Sequence, residues 1–255
     1  MKRIVLKIGS AVLTQDSQLA EDRLKNVVKL LVDLKEKYEV VLVSSGAVSA
    51  GYTQLQLDKK VLENKQALAA IGQPLLMKKY RLAFLEHNAL CAQILLTAAN
   101  LSTPSQNEKI KNTMNVLLEN GVIPIVNEND ATAIEELVVG DNDQLSAYVA
   151  CNINADMLII LSDIDAYYDS DPHKNKDAKV RKVVCSIDER ELNQDVTPHN
   201  EFATGGIVTK LKAASYMLTC KRKMFLASGF NLNDVRSFLI DEQHLGGTLF
   251  TCKEI

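Results

Sequence analysis

Short apolar runs alternate along this chain with longer stretches in which apolar residues recur every three or four positions. A short apolar run predicts a buried strand, and the three-to-four spacing predicts a helix with one buried face. Their alternation is typical of βα units around a mostly parallel sheet, so we predict a three-layer α/β/α sandwich. The predicted strands are Arg3–Ile8, Val40–Ser44, Gln93–Leu96, Val122–Val126, Met157–Leu161, Met224–Ala227 and Thr248–Thr251.

The helical spacing is clearest in two stretches and is interrupted in a third. The helical faces are marked by Leu24, Val27, Val28, Leu31 and Leu34, and by Ile110, Met114, Leu117 and Leu118. Gly72-Gln73-Pro74 interrupts the apolar stretch 61–84, and because proline disfavours helix interiors we predict two helices there. The longest polar stretch, 168–182, predicts a solvated loop or a β-excursion, with a lid as an alternative.

Two polar clusters stand out between residues 123 and 150. Asn127-Glu128-Asn129-Asp130 follows a predicted strand, and Asp141-Asn142-Asp143 precedes a helical pattern over 144–153. Turns and helix N-caps also favour Asn and Asp, but that accounts for only part of two such dense clusters. Loops on a rigid sheet commonly carry functional side chains, so we predict a polar site here.

Small residues follow the strand that ends at Ser44. Ser45 and Gly46 begin a stretch that permits a tight turn into a helix, where backbone N–H groups can hold an anion. The spacing of Gly46 and Gly51 imitates a phosphate loop. Tyr52-Thr53 follows where that motif requires Lys-Ser or Lys-Thr, so the chain is not a P-loop NTPase.

Two lysines lie beside glycine-containing junctions. Lys7 precedes Gly9, and Lys210 lies in the helix that 204–206 opens. Cations on two sides of a transferring phosphoryl group would stabilise the charge of its transition state. No catalytic base is evident, which suits a carboxylate acceptor, since a glutamate side chain with an ordinary pKa of about 4.3 is already ionised at neutral pH.

Ser162 and Asp163 close another predicted strand, at the end where open α/β sheets bind ligands. Read as a calcium loop that starts at Asp163, the segment has Tyr168 where glycine is required and Lys174 where glutamate is required. A nucleotide contact is therefore the better interpretation.

Composition narrows the class of protein. A net charge of −3, from 29 basic and 32 acidic residues, gives no electrostatic footprint for nucleic acid. Five scattered cysteines suit reduced thiols, and four scattered histidines lack zinc-ligand spacing, so a metal would need oxygen ligands. We find no signal-peptide core and no stretch that would span a membrane, and we expect a cytoplasmic protein without membrane or nucleic-acid partners.

Six motifs, spread from residue 5 to residue 210, resemble the amino acid kinase family and, within it, the kinases of glutamate. The motifs are VLKIGSAVLT, VVLVSSGAVSAG, AAIGQ, NENDATAIEELVVGDNDQLSAYVA, LIILSDIDAYYDSDP and TGGIVTK. The resemblance implies ATP-dependent phosphorylation of the side-chain carboxylate of L-glutamate to L-glutamyl 5-phosphate, the first step of proline biosynthesis, with Mg2+. The alternatives are an acetylglutamate or aspartate kinase of the same family, or a catalytically inactive amino-acid-sensing domain.

The resemblance also implies roles for single residues. The implied catalytic residues are Lys7, Lys210 and Asp143, and Asp143 is also the candidate metal ligand. The implied glutamate-binding residues are Ser45, Gly46, Asn127, Asp130, Asp141 and Asn142. The implied ATP-binding residues are Lys7, Gly9, Ser162, Asp163, Thr204, Gly205, Gly206, Ile207, Val208, Thr209 and Lys210. A free amino acid carries an ammonium group, for which Asp130 is the expected partner.

At the scale of the chain, we expect one amino acid kinase domain over 1–255. Its N-terminal lobe, about 1–155, would bind glutamate, and its C-terminal lobe, about 156–255, would bind ATP. We expect no PUA domain of the kind that follows in many relatives. The resemblance further implies a homo-oligomer and functional coupling to a glutamyl phosphate reductase.

Overall fold

The computed structural model describes residues 1–16, 18–132, 142–172, 174–192 and 206–252, and strands and helices alternate along them. The strands are β1 (Lys2–Ile8), β2 (Thr14–Gln15), β3 (Gln18–Leu19), β4 (Tyr38–Ser44), β5 (Cys91–Leu96), β6 (Ile123–Glu128), β7 (Met157–Ser162), β8 (Val183–Val184), β9 (Lys223–Ser228) and β10 (Thr248–Phe250). The helices are α1 (Ser10–Leu13), α2 (Glu21–Lys35), α3 (Ala47–Tyr52), α4 (Leu62–Leu85), α5 (Ala98–Ser102), α6 (Pro104–Glu119), α7 (Asn142–Asn152), α8 (Glu189–Leu192), α9 (Ile207–Thr219) and α10 (Asn233–Leu239).

An eight-stranded sheet forms the centre of the molecule, in the order β5-β6-β4-β1-β7-β9-β10-β8. Its neighbouring strands are parallel except for β9 and β10, which pair antiparallel. Strands β2 and β3 form a separate hairpin. All seven predicted strands are confirmed, as β1, β4, β5, β6, β7, β9 and β10.

Helices cover both faces of the sheet. Alternate residues of a strand point to opposite faces, and along β1 Ile4 and Leu6 join one hydrophobic cluster, together with residues of α2 and α4. Val5 joins a second cluster, together with residues of α7 and α9. The predicted three-layer α/β/α architecture is therefore confirmed, and both faces of the sheet are buried.

The predicted break at Gly72-Gln73-Pro74 is wrong, because α4 runs unbroken from Leu62 to Leu85 with Pro74 inside it. Proline removes one helical hydrogen bond, the one that would end on the carbonyl of Ala70. Both Pro74 and Ala70 are exposed, so water can hydrogen-bond that carbonyl. On the other side of α4, Leu76, Tyr80 and Phe84 are fully buried, and their packing favours a continuous helix.

The polar stretch 168–182 forms a β-excursion, one of the two predicted forms. Tyr168 and Val180 make an antiparallel bridge, and the backbone N–H of Asp169 donates to the carbonyl of Lys179. Whether the excursion acts as a lid stays a prediction. In the described part of the chain, no helix has the length and apolar character that crossing a membrane requires.

The expectation of reduced thiols is wrong for two of the five cysteines. Cys151 at the end of α7 and Cys220 directly after α9 form a disulfide, with their Cα atoms 6.4 Å apart. Because 69 residues separate the two in sequence, spacing alone could not reveal the pair. Cys91, Cys185 and Cys252 are free thiols.

Candidate active site

The predicted site residues gather at one edge of the sheet, where parallel strands end side by side. Ile8 of β1 lies beside Ser44 of β4 and Leu161 of β7, and Val43 of β4 lies beside Val126 of β6. The residues that follow these strand ends therefore lie close together, although they are far apart in the sequence. In open α/β sheets this carboxyl edge is the usual ligand site.

One buried carboxylate, that of Asp143, lies between two lysines. Asp143 is the second residue of α7, and its side chain has no exposed surface. Its Oδ1 is 2.5 Å from Nζ of Lys7 in β1, and its Oδ2 is 3.2 Å from Nζ of Lys210 in α9. Both lysine side chains are at most 5% exposed.

Thr209 adds a hydroxyl to this cluster. Its Oγ1 lies 2.9 Å from Oδ2 of Asp143 and 3.0 Å from the carbonyl oxygen of Gly206. Gly206 is the N-cap of α9, and Nζ of Lys210 also lies 3.5 Å from its carbonyl. The first turn of α9 therefore directs two groups, the Thr209 hydroxyl and the Lys210 ammonium, towards Asp143.

Two ammonium groups, those of Lys7 and Lys210, share the carboxylate of Asp143. Taking an ion out of water costs several kcal/mol unless partners compensate it. The contacts with Asp143 therefore help to hold both lysines in their charged form inside the protein. Two buried ammonium groups side by side suit an anionic ligand.

The other residues predicted to bind ATP lie around this cluster. The Gly9 N–H donates to the carbonyl of Leu161, and a Cβ added at Gly9 would lie 3.8 Å from Nζ of Lys7. Ser162 is buried and donates to Oδ1 of the exposed Asp163. Val208 is buried in the core, so its side chain is structural. Ile207 is the first residue of α9 and is half-buried, whereas Thr204 and Gly205 lie outside the described residues.

The predicted amino-acid side of the site is a group of hydrogen-bonded amides and hydroxyls. Nδ2 of Asn142 lies 2.8 Å from Oγ of Ser45, 3.1 Å from Oδ1 of Asn127 and 3.1 Å from the carbonyl of Ser44. Gly46 has a φ of 103°, a left-handed conformation that glycine adopts without strain. The structure thus brings together four of the six residues predicted to bind glutamate.

Asp130 follows the end of β6 by two residues and is half-buried. Burial raises the pKa of its carboxyl above the ordinary value, and the positive charge of Lys65 in α4 partly opposes that rise. A half-buried carboxylate whose charge is only partly compensated is a suitable partner for an ammonium group. Asp141 lies outside the described residues.

Two residues of α4 that had no role in the sequence-based prediction of the site contact this group of amides and hydroxyls. Oε1 of Gln73 accepts a hydrogen bond of 2.9 Å from Nδ2 of Asn127. The hydroxyl of Tyr80 lies 2.8 Å from Oγ of Ser44. The available signal was polarity on the apolar face of a helix, since buried polar groups need partners.

The described part of the site offers one candidate carboxylate ligand for magnesium, that of Asp143. In the described part of the chain, no group of three or more His, Cys, Asp or Glu side chains is placed to hold a metal ion. Asp143 could supply one carboxylate. Magnesium at kinase sites is commonly held by one or two carboxylates together with substrate phosphates, so a single protein carboxylate is compatible with it.

The sequence profile of the amino acid kinase family matches residues 2–228. A glutamate 5-kinase of Wolinella succinogenes is 52% identical over an alignment that covers 98% of each chain. A glutamate 5-kinase of Leishmania donovani is 50% identical over 98% of this chain and 95% of its own.

Among solved structures, a carbamate kinase of Giardia lamblia bound to AMP-PNP has a TM-score of 0.70 at 18% identity, over 99% of both chains. An isopentenyl phosphate kinase in its substrate complex has a TM-score of 0.68 at 17% identity, over 98% of this chain and 100% of its own. At this identity the two structures support the fold alone. The family match and the two relatives show that the chain belongs to the amino acid kinase family and, within it, to the glutamate 5-kinases.

Proposed function

We propose that this chain transfers the γ-phosphoryl group of ATP to the side-chain carboxylate of L-glutamate, giving L-glutamyl 5-phosphate for proline biosynthesis. The relatives at 50–52% identity support the reaction and the substrate. The observation that carries the mechanism is the buried carboxylate of Asp143 between Lys7 and Lys210.

In the proposed step, an oxygen of the glutamate side-chain carboxylate forms a bond to the γ-phosphorus. The bond from that phosphorus to the β,γ-bridging oxygen breaks, and ADP leaves with the electron pair. No proton is transferred, because the attacking carboxylate is already ionised. Positioning and charge stabilisation therefore account for the whole catalytic task.

Lys7 and Lys210 stabilise the negative charge of the phosphoryl group in the transition state of its transfer. Preorganised charges of this kind are worth more in a buried site than in water. Asp143 holds the two ammonium groups at a fixed separation before substrate arrives, and Thr209 holds Oδ2 of Asp143. Gly9, Ser162, Asp163 and the first turn of α9 are the proposed contacts of ATP.

On the amino-acid side, Ser45, Gly46, Asn127 and Asn142 form the proposed binding group, and Asp130 is the proposed partner of the ammonium. This assignment separates glutamate from N-acetylglutamate, which has no ammonium group to bind. Asp143 is the proposed protein ligand of Mg2+, which would neutralise phosphate charge when ATP carries it to the site.

The test is an acyl phosphate assay with ATP, Mg2+ and glutamate, in which hydroxylamine traps the product as a hydroxamate. We expect glutamate-dependent hydroxamate and ADP in equal amounts. Turnover of N-acetylglutamate or aspartate without turnover of glutamate would assign the chain to another carboxylate kinase. Calorimetric binding of glutamate without turnover would assign it to an amino-acid sensor.

Several predictions from the sequence remain open. They are the division into a glutamate-binding lobe and an ATP-binding lobe near Asp156, the homo-oligomer, the cytoplasmic location and the functional coupling to a glutamyl phosphate reductase. The proposed product supports the last of these, because an acyl phosphate hydrolyses readily and needs prompt consumption.

A further inference from the structure

Gln73 is a buried carboxamide in the middle of α4, with 8% of its surface exposed. Its Oε1 accepts from Nδ2 of Asn127 at 2.9 Å, and its Nε2 donates to Oε1 of Gln93 at 3.0 Å. Both hydrogen-bonding groups of the side chain are therefore in use. Gln73 itself has no assigned place in the proposed reaction.

The hydrogen bonds continue from Asn127 towards the proposed glutamate site. Oδ1 of Asn127 accepts from Nδ2 of Asn142 at 3.1 Å and from the backbone N–H of Glu128 at 2.9 Å. Nδ2 of Asn142 in turn lies 2.8 Å from Oγ of Ser45. The carboxamides of residues 73, 127 and 142 thus form one chain in which every NH2 group donates in the same sense.

This chain fixes which way the carboxamide of Asn127 faces. If it turned over, its NH2 group would meet the NH2 group of Asn142 and the N–H of Glu128, and three donors would face one another without an acceptor. A buried donor without an acceptor is costly. Oε1 of Gln73 accepts a hydrogen bond from Nδ2 of Asn127, and this bond holds the Asn127 carboxamide in the correct orientation.

Two glycines bring Gln73 to this place. A Cβ at Gly72 would lie 1.8 Å from the carbonyl oxygen of Ala47, and a Cβ at Gly51 would lie 1.9 Å from the carbonyl oxygen of Leu68. Helices α3 and α4 therefore cross backbone to backbone. That crossing places the next residue, Gln73, within hydrogen-bonding distance of Asn127.

We propose that Gln73 is a positioning residue for the amino acid substrate, which acts by fixing the carboxamide of Asn127 and, through it, that of Asn142. The proposal rests on the proposed function, because it concerns the glutamate side of that site. Its signature is a defect in glutamate binding with little effect on ATP, since the ATP side is held by Lys7, Asp143 and α9.

The test compares Gln73→Leu with Gln73→Glu, and with Lys78→Leu as a control on the exposed side of α4. Gln73→Leu removes the acceptor, and we expect the KM for glutamate to rise about tenfold, which corresponds to about 1.4 kcal/mol. We expect the KM for ATP to stay within twofold. Gln73→Glu keeps an acceptor for Asn127, so most of the glutamate affinity should return.

A second measurement separates positioning from general damage. In an Asn127→Ala background, Gln73→Leu should change the KM for glutamate no further, because the group through which it acts is gone. If the two effects add, or if Gln73→Leu raises both KM values equally, the proposal is wrong. Should Gln73→Leu fail to fold, Gln73→Glu decides alone, and a KM for glutamate as poor as that of Asn127→Ala overturns the proposal.

Glutamate binding by calorimetry keeps this result apart from the proposed function. A chain that binds glutamate but does not turn it over contradicts the proposed reaction, and the same variants can still be compared by their Kd. A chain that neither binds nor phosphorylates glutamate overturns both proposals.

Discussion

At the residue scale, the arrangement around Asp143 decides how the site can work. The carboxylate has no exposed surface, and a lysine ammonium lies against each of its oxygens. Removing one member of such a cluster leaves a buried charge without part of its compensation. The three residues should therefore behave as a unit in kinetics, with losses that do not add.

Lys210→Ala should lower kcat by about a hundredfold to a thousandfold, the usual loss when one preorganised donor to developing charge is removed. The KM values should change much less, because the interaction belongs mainly to the transition state. Lys212→Ala is the matched control, since Lys212 is exposed on the same helix. Steady-state kinetics with both substrates measures the effect, and an unchanged kcat in Lys210→Ala would remove this residue from the mechanism.

Asp130 should make glutamate binding sensitive to acid. Burial raises the pKa of its carboxyl above the ordinary value of 3.8. A protonated Asp130 cannot attract an ammonium group, so the KM for glutamate should rise as the pH falls. Because the pKa is raised, this rise should begin at a higher pH than it would for an exposed aspartate. The KM for ATP, measured over the same pH series, is the internal control.

The same shift predicts a change in stability of known sign. Because the folded state binds this proton more tightly than the unfolded state does, the free energy of unfolding falls as pH rises from the ordinary aspartate pKa through the raised pKa. Asp130→Asn should remove that dependence and weaken glutamate binding. Asp169 contributes with the opposite sign, since a backbone hydrogen bond from Lys179 lowers the pKa of its carboxyl. The free energy of unfolding gains from Asp169 as the pH rises, and Asp169→Asn should remove that gain. Denaturant unfolding at several pH values tests both signs.

Much of this residue-scale picture could be predicted from sequence, because the motif that contains Asp143 is specific and the motifs around Lys7 and Lys210, although shared more widely, accompany it in order. The contacts themselves could not be predicted. That Thr209 holds Oδ2 of Asp143, and that Gln73 holds Asn127, depends on how α7, α9 and α4 pack. No spacing in the chain encodes those distances.

At the scale of elements, apolar runs predicted the long strands well and missed the short ones. Strands β2, β3 and β8 have two residues each, too few for any periodicity, and β8 is defined only by its pairing with β10. The error at Pro74 has a different cause. A local preference against helix was outweighed by burial of the opposite face of α4, which no local pattern reports.

The crossing of α3 and α4 should depend on Gly72. Gly72→Ala places a Cβ 1.8 Å from backbone, so the two helices must separate. Overpacking of this kind costs about 1–3 kcal/mol, and for a chain of this size each kcal/mol lowers the Tm by roughly 2–4 °C. Gly9→Ala is the control for stability, since its Cβ would have no neighbour closer than 3.7 Å. A Gly72→Ala variant that melts with the parent chain would show that the helices tolerate separation.

At the scale of the whole molecule, the sheet order brings distant parts of the chain into one site. Strands β4, β1 and β7 are neighbours in the sheet although α2 lies between β1 and β4 in sequence, and β5 and β6 lie between β4 and β7. The alternation of strands and helices predicted a mostly parallel sheet, but not this order. Predicting the order would require knowing which strands pair, and every apolar run could pair with several others.

The disulfide between Cys151 and Cys220 is a long-range contact that the sequence did not predict. It joins the ends of α7 and α9, the same two helices whose first turns hold Asp143, Thr209 and Lys210. The Cα separation of 6.4 Å lies within the usual range for a disulfide. The two helices are therefore tied at both ends, by the bond at one and by the charge cluster at the other.

A thiol count on the whole chain tests this link. Alkylation in denaturant without reductant should label three cysteines, Cys91, Cys185 and Cys252, and prior reduction should expose all five. In the chain-entropy model, closing a loop of 69 residues stabilises the fold by up to about 4 kcal/mol. Reduction should therefore lower the Tm, and a Cys151→Ser/Cys220→Ser variant should melt at the reduced value whether or not reductant is present. Five reactive thiols before reduction would contradict the bond and restore the expectation drawn from spacing alone.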